Sequence, residues 1–325
     1  MNSRKLVAQT ILGNNTKGPT PVYGWVSANI GISKPIIDTF GSVENFEDKY
    51  AFDMAHIFGG PGPYNNDAFN KIRQSGEELT PDKVLEIPFL SPDNMGDYNN
   101  IVNALNFHQK TRDRFCYMQT NGIFECVNGI FGIEDHLCYM ALYQEEIKEI
   151  YRRQAQWNKR FAEHVIELGV DMVHISDDWG AQKTLMFSKD MWKTMIYPAH
   201  KVVCDFVREK GCFLSLHSDG NVMSVIDGIA DLGFQMFHPF QESAGMDYNT
   251  YLNKYQDKFG LIGGLCIQST LGFNNYERLG SEIKRVFSLL KGKRWCFCTT
   301  HFVQDHCSIE ELVYAYDLAV KLARP

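Results

Sequence analysis

The chain has 325 residues, 44% hydrophobic and 22% charged, which are the values of a globular chain able to bury a large core. Its formal charge of -7 is spread without long runs of one sign; this argues against a nucleic-acid partner, because a phosphate backbone asks for a basic face. No apolar stretch approaches the about 20 residues of a membrane span, and the length suits one α/β barrel of about 250 residues with added loops.

Residues 1–20 read as an N-terminal extension. Met1-Asn-Ser-Arg-Lys5 leads into a short mixed stretch, unlike the long apolar core of a secretory signal. The first strands are irregular and fall at Val22–Val26, Ala51–Ile57 and Phe115–Met118. Gly59-Gly-Pro-Gly-Pro63 through Asn70 is a loop rich in Gly, Pro and Asn. Residues 144–168 set Ile147, Ile150, Trp157, Phe161, Val165 and Leu168 on one side of a long amphipathic helix.

From residue 171 the pattern alternates regularly. Asp171–Ile175 is an apolar strand ending in Ser176-Asp-Asp-Trp-Gly180, and a helix follows from Lys189 to Glu209, stopped by Gly211. Cys212–Leu216 runs into His217-Ser-Asp-Gly220, then a helix spans Val222–Leu232. Phe234–Phe237 exits through His238-Pro-Phe-Gln-Glu242, and a helix covers Tyr248–Tyr255. Gly260–Gly263, the helix Tyr276–Leu290 and Trp295–Cys298 complete the beat, with Thr299-Thr-His-Phe302 at the last exit. The closing helix, Ser308–Leu322, opens on a capping box, Ser308 with Glu311 three residues on. Strand–helix units at this spacing demand parallel strands with helical crossovers. The expected architecture is a (β/α)8 barrel in a single domain, residues 1–325.

Nine cysteines, an odd number in a long chain, suggest free thiols in a reducing cytoplasm. Cys296-Phe-Cys298 lies in an apolar run and reads as buried strand rather than a metal knuckle.

In such a barrel the active site lies where strands end. Polar residues gather there: Trp25, Asp53, His56 and Asn121 in the first half, then Asp177, Asp178, His217, Asp219, Glu242 and His301. Each also has a plain structural role. Asp177 or Asp178 would cap the following helix, Asp219-Gly220-Asn221 would form a turn, and Asp53 and His56 would bond to each other. Two adjacent carboxylates cannot both cap one helix, so one of Asp177 and Asp178 is expected in the pocket. Aromatic residues of the same loops, Trp25, Phe58, Tyr64, Trp179 and Phe302, offer walls for a ring-sized pocket.

Several segments resemble the uroporphyrinogen-decarboxylase-like superfamily. They are His174-Ile-Ser-Asp-Asp-Trp-Gly180, Leu216-His-Ser-Asp-Gly-Asn221, His238–Asp247, Leu261–Gln268 and Thr300-His-Phe302, with a fainter likeness at Arg4–Trp25. The superfamily holds two reaction classes. True decarboxylases carry an N-terminal arginine signature that grips tetrapyrrole carboxylates, whereas Pro21-Val-Tyr-Gly-Trp-Val26 has no arginine. The other class comprises methyltransferases that pass methyl groups to or from a corrinoid, many with zinc at the barrel mouth. Related cobalamin-independent methionine synthases order their ligands as His-x-Cys, a later Glu and a last Cys. This chain offers His217-Ser-Asp219, with Glu242 23 positions on and His301 59 beyond that. The spacing matches, and both cysteines are replaced. His and carboxylate ligands also suit zinc, and keep it more electrophilic than thiolates would.

The resemblance thus implies a corrinoid-dependent methyltransferase acting on a small methylated compound, a methyl ether by preference. Zinc would be held by His217, Asp219, Glu242 and His301, and a partner corrinoid protein would dock over the mouth. Asp177, Asp178 and His301 are the expected catalytic residues; Trp25, Asp53, His56, Asn121 and Trp179 are expected to bind substrate. Without the metal, His301 and Asp219 would act as a proton-transfer pair. The alternatives are a metal-free decarboxylase of a smaller acid, in which Asp177 or Asp178 would hold a protonated heterocycle and His301 would deliver a proton, and a corrinoid- or tetrapyrrole-binding scaffold. A homodimer is a further partner compatible with the resemblance.

Overall fold

Short apolar runs form seven strands in a computed structural model that describes residues 2–27 and 29–324; Met1, the first residue of the expected extension, lies outside them. The strands are β1 (Met54–Ile57), β2 (Phe115–Asn121), β3 (Met172–Ser176), β4 (Phe213–His217), β5 (Met236–His238), β6 (Gly260–Leu265) and β7 (Trp295–Thr299). All pair in parallel, in sequence order. The register sets Ser176 beside His217 and His217 beside His238, so the exits of β3, β4 and β5 lie level.

An eighth strand was expected at Val22–Val26. In its place is one bridge, Val22 to Phe297 of β7. Tyr23 N–H donates to the Phe297 carbonyl and Phe297 N–H to that of Pro21, both at 2.9 Å. On the other side Asp53 N–H donates to the Val22 carbonyl at 2.9 Å. The ladder stops at Tyr23 because its carbonyl accepts the Tyr316 hydroxyl instead, at 3.0 Å. Gly24 permits that approach, since a Cβ there would stand 1.8 Å from the Tyr316 oxygen.

Helices follow the strands and bury apolar stripes against them. The helix Gln144–Glu167 buries Ile147, Ile150, Trp157, Phe161 and Val165. The helix expected from Lys189 to Glu209 is interrupted: Trp192–Ile196 is a π-helical turn and an α-helix resumes at Tyr197. Pro198 supplies no N–H to the ladder there. Cys296 and Cys298 are buried in β7.

Within the expected N-terminal extension, Ser3–Ile11 is a helix that buries Leu6, Val7 and Ile11. It lies across the strand starts, with Arg4 paired at 2.6 Å to Asp171, just before β3. Ser3 Oγ donates to Asp53 at 2.7 Å, and Asp53 also accepts from Val22 N–H and Arg324. Among the described residues, no helix is long and apolar enough to cross a membrane.

Candidate active site

The exit loops of β3 and β4 are clasped together. Asp177 N–H donates to the His217 carbonyl (2.9 Å), Trp179 N–H to Ser218 Oγ (3.0 Å), Asp219 N–H to Asp178 Oδ1 (2.8 Å) and Asn221 N–H to the Ala181 carbonyl (2.9 Å). Gly180 and Gly220 meet at the centre. A Cβ on Gly180 would stand 2.4 Å from the Asp219 carbonyl, and one on Gly220 2.3 Å from that of Gly180. Gln241 holds the β4 loop from the far side, accepting Gly220 N–H at 3.0 Å.

This clasp fixes three donors at the strand ends. One atom each of Asp178, His217 and Asp219 lie within 4.8 Å of one another. His217 Nε2 is 3.4 Å from Asp178 Oδ1 and 4.0 Å from Asp219 Oδ2. His301 Nε2 is 3.6 Å from Asp219 Oδ2. Two ligands each about 2.1 Å from a tetrahedral zinc would lie about 3.4 Å apart, so the residues fit such an ion. Burial, then His301, pushes His217 down to about 3, so its imidazole is neutral, as a metal ligand must be. Burial, then Asp178, pushes Asp219 up to about 8. Asp178 is also raised by burial, though the Asp219 N–H opposes this. Carboxyl groups crowded in this way are relieved either by protons or by a cation.

Above the cluster is a cavity of about 420 Å³ lined by Trp25, Ser27, Phe58, Gln119, Glu125, Ser176, Asp178, His217, His301 and Phe302. Trp25 is its central wall, with ring centroids 5.6 Å from both His301 and Phe302, 5.0 Å from His56 and 6.0 Å from Phe58. Among the described residues, Trp25 Nε1, His301 Nδ1 and both His56 nitrogens are buried without a hydrogen-bond partner. Trp25 and His301 line the cavity, so their two atoms are placed to meet a ligand. Beneath, His217 Nδ1 lies 2.7 Å from His238 Nδ1, and His238 Nε2 lies 3.0 Å from the Thr299 carbonyl.

The expected residues are thus divided. Asp178, His217, Asp219 and His301 come together, and Trp25 faces them. His56 stacks on Tyr117 with centroids 4.3 Å apart, beneath Trp25. Asn121 lines an adjoining hollow of about 210 Å³ with Gln119, Glu125 and Ser176. Four expectations are corrected. Glu242 lies in a 3-10 turn, exposed and paired with Arg285, and does not join the metal cluster. Asp53 is tied to Ser3, Val22 and Arg324 at the strand starts, the opposite end from the cavity. Trp179 is fully buried and donates Nε1 to Asp177 at 2.7 Å. Asp177 is itself buried: it accepts from Phe124 N–H, Glu125 N–H, Trp179 Nε1 and His200 Nε2, and so caps the helix Phe124–Phe131 rather than facing substrate.

Glu125 and His238 carried no role in the sequence reading. Glu125 reaches the cavity from the first turn after β2, where it accepts from Ser176 Oγ at 3.3 Å. Burial of its carboxyl, then Asp178 and Asp177, pushes it up to about 8. Ending β2 at Met118 hid it: the strand runs to Asn121, so Glu125 stands just past a strand exit. His238, the last residue of β5, stood in plain view as a histidine at a strand exit.

The family profile described as uroporphyrinogen decarboxylase (URO-D) matches residues 124–320, more than half the chain. The chain belongs to the uroporphyrinogen decarboxylase family. The matched span carries the clasp, the donor cluster and the whole run from β3 to β7. No curated protein sequence matches significantly. Among solved structures, a methyltransferase from Methanosarcina mazei is similar over 99% of both chains, with TM-score 0.74 at 12% identity. That likeness of fold includes the N-terminal third, which the family profile does not match. A B12-independent methionine synthase from a Shewanella species scores 0.43 at 9% identity, covering 68% of this chain and 66% of its own. A sugar phosphate isomerase/epimerase from Parabacteroides distasonis scores 0.46 at 9% identity, over 95% and 96%.

Proposed function

We propose that this family member is a methyltransferase that takes a methyl group from a small methyl ether and delivers it to a corrinoid protein. Zinc would be held by Asp178, His217 and Asp219, with His301 beside it. The observation that carries this reading is the donor cluster beneath an aromatic-walled cavity that has no Lys or Arg among its lining residues. A tetrapyrrole with many carboxylates needs guanidinium partners, and the wall offers the carboxyl groups of Glu125 and Asp178 in their place. The Methanosarcina mazei protein, called a methyltransferase, agrees in kind. We also take residues 21–23 as the eighth strand position of a (β/α)8 barrel, and the chain as one cytoplasmic domain.

Zinc, when bound, supplies a Lewis acid for the ether oxygen, and the partner's corrinoid supplies the methyl acceptor. The chain's own residues do the rest. Trp25, Phe58 and Phe302 wall off water and hold the apolar part of the substrate. His301, whose pKa is lowered by burial, presents Nε2 beside Asp219 and can hydrogen-bond the leaving oxygen, while Glu125, which lines the same cavity and holds its proton up to about pH 8, supplies the proton that oxygen takes up. Asp178 stays fixed through the Asp219 N–H, which holds the site's geometry during turnover.

Elemental analysis and a methyl-transfer assay test this reading. Purified protein should carry about one zinc per chain and methylate free cob(I)alamin from an aryl methyl ether. His217→Ala should lose both while keeping its circular dichroism spectrum. Full activity in metal-free protein would end the zinc assignment. Zinc-loaded protein that releases carbon dioxide from a tetrapyrrole acid but moves no methyl group would favour the decarboxylase.

A further inference from the structure

The buried pair below the donor cluster sets which nitrogen of His217 carries its proton. The Thr299 carbonyl has no hydrogen to give, so His238 Nε2, 3.0 Å away, is the donor. His238 and His217 face each other through their Nδ1 atoms at 2.7 Å, a gap that holds one hydrogen. If that hydrogen sat on His238, the ring would be a doubly protonated cation. Its other ring neighbours include Trp25 and His174, and among the described residues no carboxylate is paired with it. A cation there would go unpaired, which burial disfavours. The hydrogen therefore belongs to His217 Nδ1, and the His217 Nε2 lone pair faces Asp178 and Asp219.

The imidazole pair sets that outcome, since on the other side Asp178 Oδ1, 3.4 Å from Nε2, would equally accept an N–H. We infer that His238 is a positioning residue: it holds His217 as the Nδ1–H tautomer and so keeps Nε2 open toward a cation between Asp178 and Asp219. The cation itself rests on the reading of the preceding section; the tautomer does not. Outer partners of ligating histidines fix ring orientation in this manner, and their loss costs about 10–100-fold in metal affinity. Here the partner is a second imidazole, itself oriented by a main-chain carbonyl at the end of β7.

Two measurements on the full chain test the assignment. Nitrogen-15 spectra of metal-free protein should show His217 protonated at Nδ1 and bare at Nε2. In His238→Phe the proton should move to Nε2, because Nδ1 then lacks an acceptor while Asp178 Oδ1 stands 3.4 Å from Nε2. A general packing role would leave the tautomer unchanged. Zinc titration should then show affinity lower by about 10–100-fold in His238→Phe, with much of it regained in His238→Asn, whose side-chain oxygen accepts the same hydrogen. An Nε2–H tautomer in the wild type overturns the inference, as does zinc affinity unaltered by His238→Phe. If His238→Phe does not fold, the wild-type spectrum decides alone. Failure of wild-type protein to bind zinc would sink the metal reading, while the spectrum still decides the tautomer.

Discussion

Asp177 offers two oxygens to four donors: two main-chain N–H groups, the Trp179 indole and the His200 imidazole. Burial alone would raise its pKa, but the His200 hydrogen bond and charge, with the Glu125 N–H and Trp179, bring it below the ordinary value. Its neighbour Asp178 turns the other way, into the cavity. The sequence left open which of the two caps and which faces the pocket, and either capping Asp would then tolerate Asn. The geometry reverses that tolerance. Asn at 177 would aim an amide N–H at donors, so Asp177→Asn should cost about 3–5 kcal/mol, as when a buried pair is broken. Asp178→Asn should keep the melting temperature within a few degrees and lose zinc. Thermal unfolding and zinc content of the two variants decide; equal stability would refute the hub role of Asp177. Glu242 shows the limit of spacing arguments. Its separation from Asp219 and His301 matches a related ligand set, yet a local turn aims it at Arg285. Spacing records position along the chain, and side-chain direction at a loop depends on a turn that composition does not reveal.

At the scale of elements, the clasp between the β3 and β4 exits does most to hold the donors. It predicts that Gly180→Ala displaces Asp219, because the new Cβ would stand 2.4 Å from the Asp219 carbonyl. Zinc affinity should fall by tenfold or more, about 1.4 kcal/mol, with the helices intact by circular dichroism. An alanine variant with wild-type affinity would show that the two loops move independently. The strands from β3 onward were legible because each is an apolar run closed by a polar exit, and their ends fall within two residues of expectation. Three features were not. Residues 22–26 read as a strand, but Tyr316 takes the carbonyl that a ladder would use. The π turn at Trp192–Ile196 follows from Pro198, which the apolar spacing masked. The Ser308 box is half formed: Ser308 Oγ accepts Glu311 N–H at 3.2 Å, while the Glu311 carboxylate turns to the N–H groups of Phe273 and Asn274. Periodicity reports which face is buried. Where a side chain from elsewhere replaces a backbone bond, it has nothing to report.

Across the whole molecule, the mouth stores carboxyl groups that resist ionisation. Glu125 and Asp219 both sit at about 8, above their unfolded values near 4. At these two sites the folded chain holds protons that the unfolded chain has lost above about pH 4, while the buried histidines, His217 at about 3 among them, act in the opposite sense below their unfolded value near 6.5. Metal-free protein should therefore lose stability as pH rises from about 6.5 to 8, where only the carboxyl groups still differ. Melting curves from pH 6.5 to 8.5 should show the decline, and the double variant Glu125→Gln/Asp219→Asn should flatten it. A flat wild-type profile would remove the strain assigned to the mouth. The seam between Val22 and Phe297 carries a different consequence, one of timing. Its two sides are far apart in sequence, so the sheet can bring them together only after every intervening strand has found its place. Contacts of such long separation are slow to form, because loop closure is met before they give anything back. On a ribosome the segment around Val22 would wait, its apolar face and hydrogen-bonding edge uncovered, until β7 emerged. That interval is when the chain is most exposed to mispairing with a neighbour.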